Sequence, residues 1–350
     1  MTPGNLPNGK VPTPGGIYLR RIRGCNPLQE QEVEGISASC GAPTPEEACV
    51  AVALDRVTVR VPATVANLGA GFDVLAAAVG VHAEVTLEPA SSPHVSVSGA
   101  SVPQDASNLI YRSAAAVANT AGYHGAFSLQ AHSPIPLRSG LGSSAAAIVG
   151  GMVAASRLLG DSLDARTLLE LAADLEGHPD NVAAALFGGV VIVIRDGPRL
   201  RWARFVPAVR LAVVLAVPDI QVETTFARQV LPREISRDDA VYNIGHASLL
   251  VAALAAGRPE WLRGALGDRL HQPYRAEFVP GFERVVDAAA AAGAFGAALS
   301  GSGPTVFALA EPAAAPGVGG AMREAFTAAG VTSRVIVTEI EPEGALAVGA

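Results

Sequence analysis

Alternation of hydrophobic and polar residues begins near residue 55 and predicts the first strand of the fold. Val57, Val59 and Val61 alternate with Thr58 and Arg60, which is the period of a half-buried strand. Similar reasoning predicts further strands over 82–90, 94–99, 126–134, 190–196 and 209–218. The chain is therefore expected to contain at least one substantial sheet.

A different spacing, with apolar residues three and four positions apart, predicts helices between these strands. The predicted helices cover 108–122, 143–160, 162–177, 178–189, 224–232 and 238–257. Gly122 and Gly160 follow two of them as terminators, and Ser162 or Asp164 is expected to cap the third. The uncharged run 288–310 is predicted to be a buried helix, a loop and a strand.

The order of these elements predicts an α+β fold of two mixed halves that meet near residue 205. We expect an N-terminal domain over 53–205, a C-terminal domain over 206–345, and a cleft between them. Residues 1–52 are rich in Pro, Gly and polar residues without a clear period. This composition predicts a disordered extension, or a start codon assigned too early.

Composition excludes several classes of function. The 350 residues are 50% hydrophobic and carry a net charge of −7, which argues against nucleic-acid binding. The three cysteines form no Cys-x-x-Cys pair, so a structural zinc site is not expected. No secretory signal or membrane span is predicted, since Gly-Ser-Gly-Pro at 301–304 interrupts the longest uncharged run. We expect a cytoplasmic protein.

The stretch PIPLRSGLGSSAAA at 134–147 resembles a phosphate-binding loop, but several familiar loops are excluded or weakened. A Walker loop requires a lysine, and the chain's only lysine is Lys10. A dinucleotide fingerprint matches Gly140, Gly142 and Ala145, but no uninterrupted strand precedes it and a second helix follows. No Gly-x-Ser-x-Gly elbow of a serine hydrolase occurs. A plain turn capped by Ser143 or Ser144 remains an alternative.

The remaining interpretation is a loop whose main-chain amides hold a polyphosphate at a helix N-terminus. Glycines 140 and 142 would let the main chain approach the ligand, and a serine hydroxyl could ligate Mg²⁺. Two more Gly-rich segments, at 61–80 and 298–309, exceed what ordinary turns require.

Together the three segments resemble the GHMP kinase family, and the resemblance runs from about residue 55 to 340. The stretch 134–147 is similar to the family's ATP motif. VPATVANLGAGFDVLAAAVG at 61–80 and EGHPDNVAAALFGG at 176–189 resemble the members that phosphorylate homoserine. The resemblance implies a two-domain GHMP-kinase-like fold with mixed sheets, helices on one face, and an active site in the cleft.

The resemblance also assigns the cofactors, ATP and Mg²⁺. Magnesium would be held by Glu176 and Ser144, with Ser143 as the alternative serine. The residues that it places around ATP are Asn108, Pro134, Ser139, Gly140, Leu141, Gly142, Ser143 and Ser144. Asn108 would also serve as an ordinary helix cap.

For the acceptor substrate, the resemblance implies L-homoserine bound by Asn67, Asp73, His178, Arg228 and Arg275. Asp73 would pair with the ammonium group and the two arginines with the carboxylate. Asn181 is expected near the reacting hydroxyl, and Asp180 is the alternative as a base. Rival hypotheses are a related kinase acting on mevalonate or shikimate, and a non-catalytic nucleotide-binding regulator. A homodimer is a further expectation.

Overall fold

The structure, a computed structural model, describes residues 51–197 and 199–349. The strands are β1 (Val57–Ala66), β2 (Leu75–Ala90), β3 (His94–Ser98), β4 (Ala126–His132), β5 (Val190–Asp196), β6 (Arg199–Phe205), β7 (Ala212–Pro218), β8 (Gly296–Leu299), β9 (Val306–Ala310), β10 (Ser333–Glu339) and β11 (Leu346–Gly349). The helices are α1 (Leu109–Ala121), α2 (Ser143–Leu158), α3 (Ala165–Glu176), α4 (Asp180–Phe187), α5 (Thr224–Gln229), α6 (Arg237–Ala256), α7 (Gln272–Arg275), α8 (Phe282–Ala291) and α9 (Ala315–Ala328). The extension predicted over residues 1–52 lies outside the described residues except for its last two positions.

The first sheet is organised around β2, which is 16 residues long. It pairs antiparallel with β1 along most of its length, with Val57 opposite Leu87 and Ala66 opposite Ala76. Its length lets the start of β2 pair with β5 and its end with β4. Strand β3 joins β4 in parallel, β6 pairs with β5, and β11 pairs with β1. The sheet is therefore mixed, as predicted.

Helices α2 and α4 pack on this sheet, and α1 and α3 pack against α2. Small residues make this close packing possible. A Cβ on Gly151 would lie 2.3 Å from the carbonyl oxygen of Ile110 in α1, and one on Gly150 would lie 2.8 Å from Val85 in β2. The Gly- and Ala-rich sequence of α2 is thus required by its two neighbours.

The second sheet has the order β10-β7-β9-β8 and is antiparallel throughout its described strands. Val214 in β7 packs with Val318 and Met322 of α9 in one core. Its neighbour Val213 points to the other side and joins the core of the first sheet. Burial on both faces explains why β7 is a continuous apolar run without alternation.

Most predicted elements are confirmed, and the differences have physical reasons. Strand β2 begins at Leu75, seven residues before the prediction, because its first part is buried on both sides and shows no period of two. The helix–loop–strand prediction for 288–310 is wrong, since β8 lies between α8 and β9. Strand β8 is a short Gly/Ala segment of low intrinsic strand preference, held by pairing with β9. Asp164 caps α3 by accepting a hydrogen bond from the amide of Thr167.

Elements β6, α9 and β11 are among those that the sequence pattern did not predict. In β6, four of seven residues from Arg199 to Phe205 are exposed, and the three arginines in it weaken the apolar pattern. Strand β11 lies beyond residue 345 and returns to the first sheet beside β1. The domain boundaries at 205 and 345 stay predictions.

Within the described residues, α6 is the one helix long and apolar enough to be compared with a membrane span. Leu250, Ala253 and Leu254 of this helix are buried in the first core, whereas Val241 and Ile244 are exposed. One side of α6 therefore packs on the folded chain.

Candidate active site

The loop at 134–147 ends at the N-terminus of α2, where the main chain is open toward a pocket. Gly142 is the N-cap residue, in the left-handed conformation, and no side chain caps the helix. The alternative of a turn capped by Ser143 or Ser144 is therefore wrong. Uncapped amides at a helix N-terminus attract anions through their N–H groups and the helix dipole.

Both glycines of the loop are required by packing as well as by conformation. Gly140 has φ +82° and Gly142 has φ +65°. A Cβ on Gly140 would lie 2.2 Å from the carbonyl oxygen of Ser300, and one on Gly142 would lie 1.9 Å from the Thr64 hydroxyl. Besides letting the main chain approach a ligand, as predicted, these glycines are therefore needed because other parts of the protein fill the space beside them.

This close packing predicts a stability difference between two substitutions. Gly142→Ala should lower the free energy of unfolding by at least about 2 kcal/mol, because it combines left-handed strain with a clash. Gly122→Ala is the matched control, since Gly122 has φ +75° and nothing within 4 Å of its Cβ position. It should cost about 1 kcal/mol. Urea unfolding measures both, and equal losses would contradict the packing argument.

The third Gly-rich segment, at 298–309, lies in the second sheet and forms hydrogen bonds with the loop. The Ser300 hydroxyl donates to the carbonyl oxygen of Gly140 at 2.6 Å, and the amide of Thr305 donates to that of Ser139 at 3.1 Å. Gly301 and Ser302 also line the pocket. They are missing from the predicted site residues although the GSG motif singled out their segment.

Ser144 and Glu176, the predicted metal ligands, are in contact. The Ser144 hydroxyl donates to Oε2 of Glu176 at 2.6 Å, and the Glu176 side chain is only 10% exposed. Burial raises the pKa of Glu176, while the Ser144 hydrogen bond and the charge of His178 act in the opposite direction. A buried carboxylate beside a hydroxyl is an oxygen pair that suits Mg²⁺. The described residues hold no cluster of three or more His, Cys, Asp or Glu at metal-binding distance, so phosphate oxygens and water would complete the coordination.

His178 lies between two acidic side chains. Its Nδ1 donates to Oδ1 of Asp180 at 2.6 Å, and its Nε2 is 3.9 Å from Oε1 of Glu176. Burial by itself would lower the pKa of His178, but the hydrogen bond to Asp180 and the two acidic charges raise it overall. When it is protonated, His178 partly neutralises the carboxylates of Glu176 and Asp180.

Asn181, the predicted residue near the reacting hydroxyl, is held by Thr64 of β1. The Thr64 hydroxyl donates to Oδ1 of Asn181 at 2.6 Å. The same threonine's amide donates to the carbonyl oxygen of Leu141 in the loop. Thr64 therefore links Asn181 to the loop. It is not among the predicted site residues, because nothing in a strand position signals such a contact.

The predicted substrate residues converge on the turn that follows β1. Arg228 from α5 donates two hydrogen bonds of 2.8 Å to Asp73. Asn67 accepts from the amide of Asp73 at 3.1 Å and donates to the carbonyl oxygen of Gly301 at 3.0 Å. Both Asn67 and Asp73 have positive φ angles, +67° and +57°, a strain that is concentrated at functional sites.

Arg275 lies beside this ion pair and is almost fully buried. Its Nε donates to the carbonyl oxygen of Ala227 and its Nη1 to that of Gly301, both at 3.1 Å. Burial, followed by the charge of Arg228, lowers its pKa to about 10, so the guanidinium remains charged at neutral pH. Among the described residues it has no carboxylate partner within ion-pair distance.

One pocket gathers most of the predicted site residues, from both predicted halves of the chain. It is lined by Asn67, Asp73, Arg138, Ser139, Gly140, Gly142, Ser143, Ser144, Glu176, His178, Asp180, Asn181, Arg228, Arg275, Gly301 and Ser302. Arg138 was not predicted, although it lies within the quoted loop and has a positive φ of +52°.

Three predicted ATP residues lie elsewhere. Leu141 is fully buried in the core and Pro134 is exposed. Asn108 caps α1 through the amide of Ile110 and donates to the carbonyl oxygen of Pro103 at 2.7 Å. Both polar atoms of its side chain are engaged within the protein, but Asn108 also lines a second, neighbouring pocket, so its predicted contact with ATP stays a prediction.

A second, mainly apolar pocket adjoins the first at Ser143 and Ser144. Its walls include Val97, Val102, Leu109, Leu137 and Ala147. An apolar cleft next to a polar helix N-terminus has the chemical character that a nucleoside with a phosphate chain requires.

Comparisons with known proteins agree with this geometry. Residues 108–189 match the model of the GHMP kinases N terminal domain, and 250–328 match the GHMP kinases C terminal model. Homoserine kinase of Carboxydothermus hydrogenoformans is 44% identical over 83% of this chain and 96% of its own length. That of a Synechococcus species is 42% identical over 83% of this chain and 97% of its own length.

Solved structures extend the comparison. The crystal structure of homoserine kinase from Cytophaga hutchinsonii has a TM-score of 0.78 and 34% identity, covering 85% of this chain and 98% of that one. Mevalonate diphosphate decarboxylase from Staphylococcus aureus, at 14% identity and a TM-score of 0.65, shares the fold alone. The chain aligns with almost the whole length of the curated relatives, and it matches both domain models. The chain belongs to the homoserine kinases, within the GHMP kinase family.

Proposed function

We propose that this protein transfers the γ-phosphoryl group of ATP, with Mg²⁺, to the side-chain hydroxyl of L-homoserine. The observation that carries the proposal is the Asp73–Arg228 ion pair, which lies beside Arg275 in the pocket of the uncapped α2 N-terminus. An amino acid substrate presents an ammonium and a carboxylate together. This pocket holds both opposite charges together with a helix N-terminus suited to phosphate.

Acceptor binding follows from these charges. Asp73 receives the ammonium group, and Arg228 and Arg275 receive the carboxylate in charge-assisted hydrogen bonds. In the free protein Asp73 and Arg228 pair with each other. Binding of the zwitterion replaces this ion pair by two, one at its ammonium group and one at its carboxylate. Asn67 holds the amide of Asp73 and so maintains the strained turn.

At the other end of the pocket, the amides from Ser139 to Ser144 hold the phosphates, and Ser144 with Glu176 holds the cation. Bound Mg²⁺ supplies charge stabilisation for the transferring phosphoryl group. The mainly apolar neighbouring pocket accommodates adenine.

The hydroxyl is positioned by Asn181 in preference to being deprotonated by Asp180. Oδ1 of Asp180 already accepts from Nδ1 of His178 and from the amide of Asn181, so this oxygen is engaged within the protein. Thr64 fixes the carbonyl oxygen of the Asn181 amide, which leaves Nδ2 to donate toward the reacting oxygens. Phosphoryl transfer needs chiefly positioning and electrostatic stabilisation.

A substrate panel tests the proposal. Purified protein with Mg²⁺ and ATP should release ADP in a coupled assay with L-homoserine, and phosphorus NMR should identify the phosphate ester. Mevalonate and shikimate should give no more than the background rate. Turnover of either without homoserine would support the rival kinase, and ATP binding without turnover of any acceptor would support the non-catalytic regulator. Cytoplasmic location and a homodimer stay predictions.

A further inference from the structure

An aromatic ring lies next to both predicted carboxylate-binding arginines. Phe72 immediately precedes Asp73 in the strained turn. Its ring centroid is 5.2 Å from Cζ of Arg275 and 5.7 Å from Cζ of Arg228. The two arginines come from distant parts of the chain, and Phe72 is the side chain that they share.

Two guanidinium groups beside one ring repel each other unless their charge is offset. Burial lowers the pKa of Arg275, and the charge of Arg228 lowers it further. Asp73 compensates Arg228 through two hydrogen bonds but is not within ion-pair distance of Arg275. The negative face of an aromatic ring attracts cations within about 6 Å. The face of the Phe72 ring therefore attracts both guanidinium groups weakly.

The Phe72 ring packs against His271, which is fully buried. The two rings are stacked, with centroids 5.4 Å apart and planes 28° apart. Nε2 of His271 donates to the carbonyl oxygen of Gly69 at 2.8 Å, in the same turn as Phe72. The histidine thus connects the turn to the segment that carries Arg275.

A second buried link runs beside the first. Asp268 accepts hydrogen bonds from the amide of His271 at 2.9 Å and from Nδ2 of Asn243 at 2.6 Å. Asn243 also donates to the carbonyl oxygen of Ala70 at 3.2 Å. The backbone on both sides of the Phe72–His271 stack is therefore fixed, and the ring has little freedom to leave the arginines.

We propose that Phe72 is a positioning residue that holds Arg228 and Arg275 together as one receptor for the acceptor's carboxylate. The inference rests on the proposed function and adds a specificity determinant to it. Phe72 contributes no group to the chemistry. Its effect is on the affinity for acceptors that carry a carboxylate beside the amine.

The test is the steady-state kinetics of Phe72→Leu and Phe72→Tyr. The leucine variant should raise KM for homoserine about tenfold, since it removes two cation–π contacts. Its kcat and its KM for ATP should change less than twofold. Tyrosine keeps the aromatic face and should restore KM to within about threefold of the wild-type value.

Phe187→Leu is the matched control, because Phe187 is also half-buried and stacked, 5.1 Å from Trp202, outside the pocket. It should leave every kinetic constant unchanged. An unchanged KM for homoserine in Phe72→Leu would overturn the inference. So would a parallel loss in kcat and both KM values that tyrosine did not restore, since that pattern indicates a merely structural ring. Failure of the wild-type protein to phosphorylate homoserine would instead overturn the proposed function.

Discussion

Replacing Glu176 with Gln should lower kcat by about two orders of magnitude or more while leaving the protein folded. The variant removes the carboxylate that accepts the hydrogen bond of Ser144 and keeps nearly the same side-chain shape. A metal ligand that contributes about 3 kcal/mol of transition-state stabilisation accounts for a hundredfold rate effect. Steady-state turnover at saturating homoserine and ATP measures the loss.

The Glu176→Gln substitution should not lower the stability of the folded protein, and this result separates a catalytic role from a structural one. Burial raises the pKa of Glu176 above its unfolded value, so the folded protein binds this proton more tightly than the unfolded chain. The stability that the carboxyl contributes is complete below the unfolded pKa and is lost as pH rises through the folded pKa. At neutral pH the metal-free Glu176→Gln protein should therefore melt at the same temperature as wild type, or higher.

Asp174→Asn is the matched control for this variant. Asp174 lies on the same helix, α3, is 75% exposed, and has a distant contact of 4.0 Å with Arg195. It should lose neither turnover nor stability. Turnover retained in Glu176→Gln would remove Glu176 from the metal site, and a large fall in its melting temperature would show that the charge holds the fold.

Replacing Asp73 with Asn should lower kcat/KM for homoserine roughly a hundredfold and leave KM for ATP within about twofold. The substitution removes the proposed ammonium acceptor, and a hydrogen bond to a charged group contributes about 1.5–3 kcal/mol. Asn tolerates the positive φ of +57° at this position better than most residues. The backbone of the turn should therefore survive, and the measured loss reports on charge.

Asp161→Asn supplies an unusually close control. Asp161 has φ +59°, is exposed, and pairs with Arg157 at 2.8 Å, outside the pocket. It shares with Asp73 both the left-handed backbone and the arginine partner. The control should retain full activity. Equal kcat/KM in Asp73→Asn and wild type would exclude Asp73 from acceptor binding.

The local pattern of hydrophobic and polar residues predicted much of this fold, because many of its strands and helices are half-buried. The alternation at Val57, Val59 and Val61 follows one buried face of β1. Elements buried on both sides, such as the start of β2, have no polar face and therefore lose the period that would reveal them. Strand β11 depends on β1, a partner almost the whole chain away, whereas β8 is a Gly/Ala segment of low strand preference that pairs with the next strand, β9.

The candidate site likewise contains residues that the sequence reveals and residues that only the structure reveals. Most of its residues come from three short motifs, because glycines at strained turns and serines at a helix start are recognisable in a sequence. Thr64, Phe72 and Ser300 lie in or beside the same motifs, but their roles depend on atoms far along the chain. Thr64 contacts Asn181 across 117 positions, and Ser300 contacts Gly140 across 160.

The sequence by itself determined the family, the phosphate-binding loop without a lysine, and the charges that an amino acid substrate requires. Only the tertiary structure decided how those charges are paired. Asp73 and Arg228 are 155 residues apart, and their contact, like the position of Phe72 beside two arginines, arises where the first turn meets the second half of the chain. Residue type is local information, whereas the distance between two charges is fixed by packing.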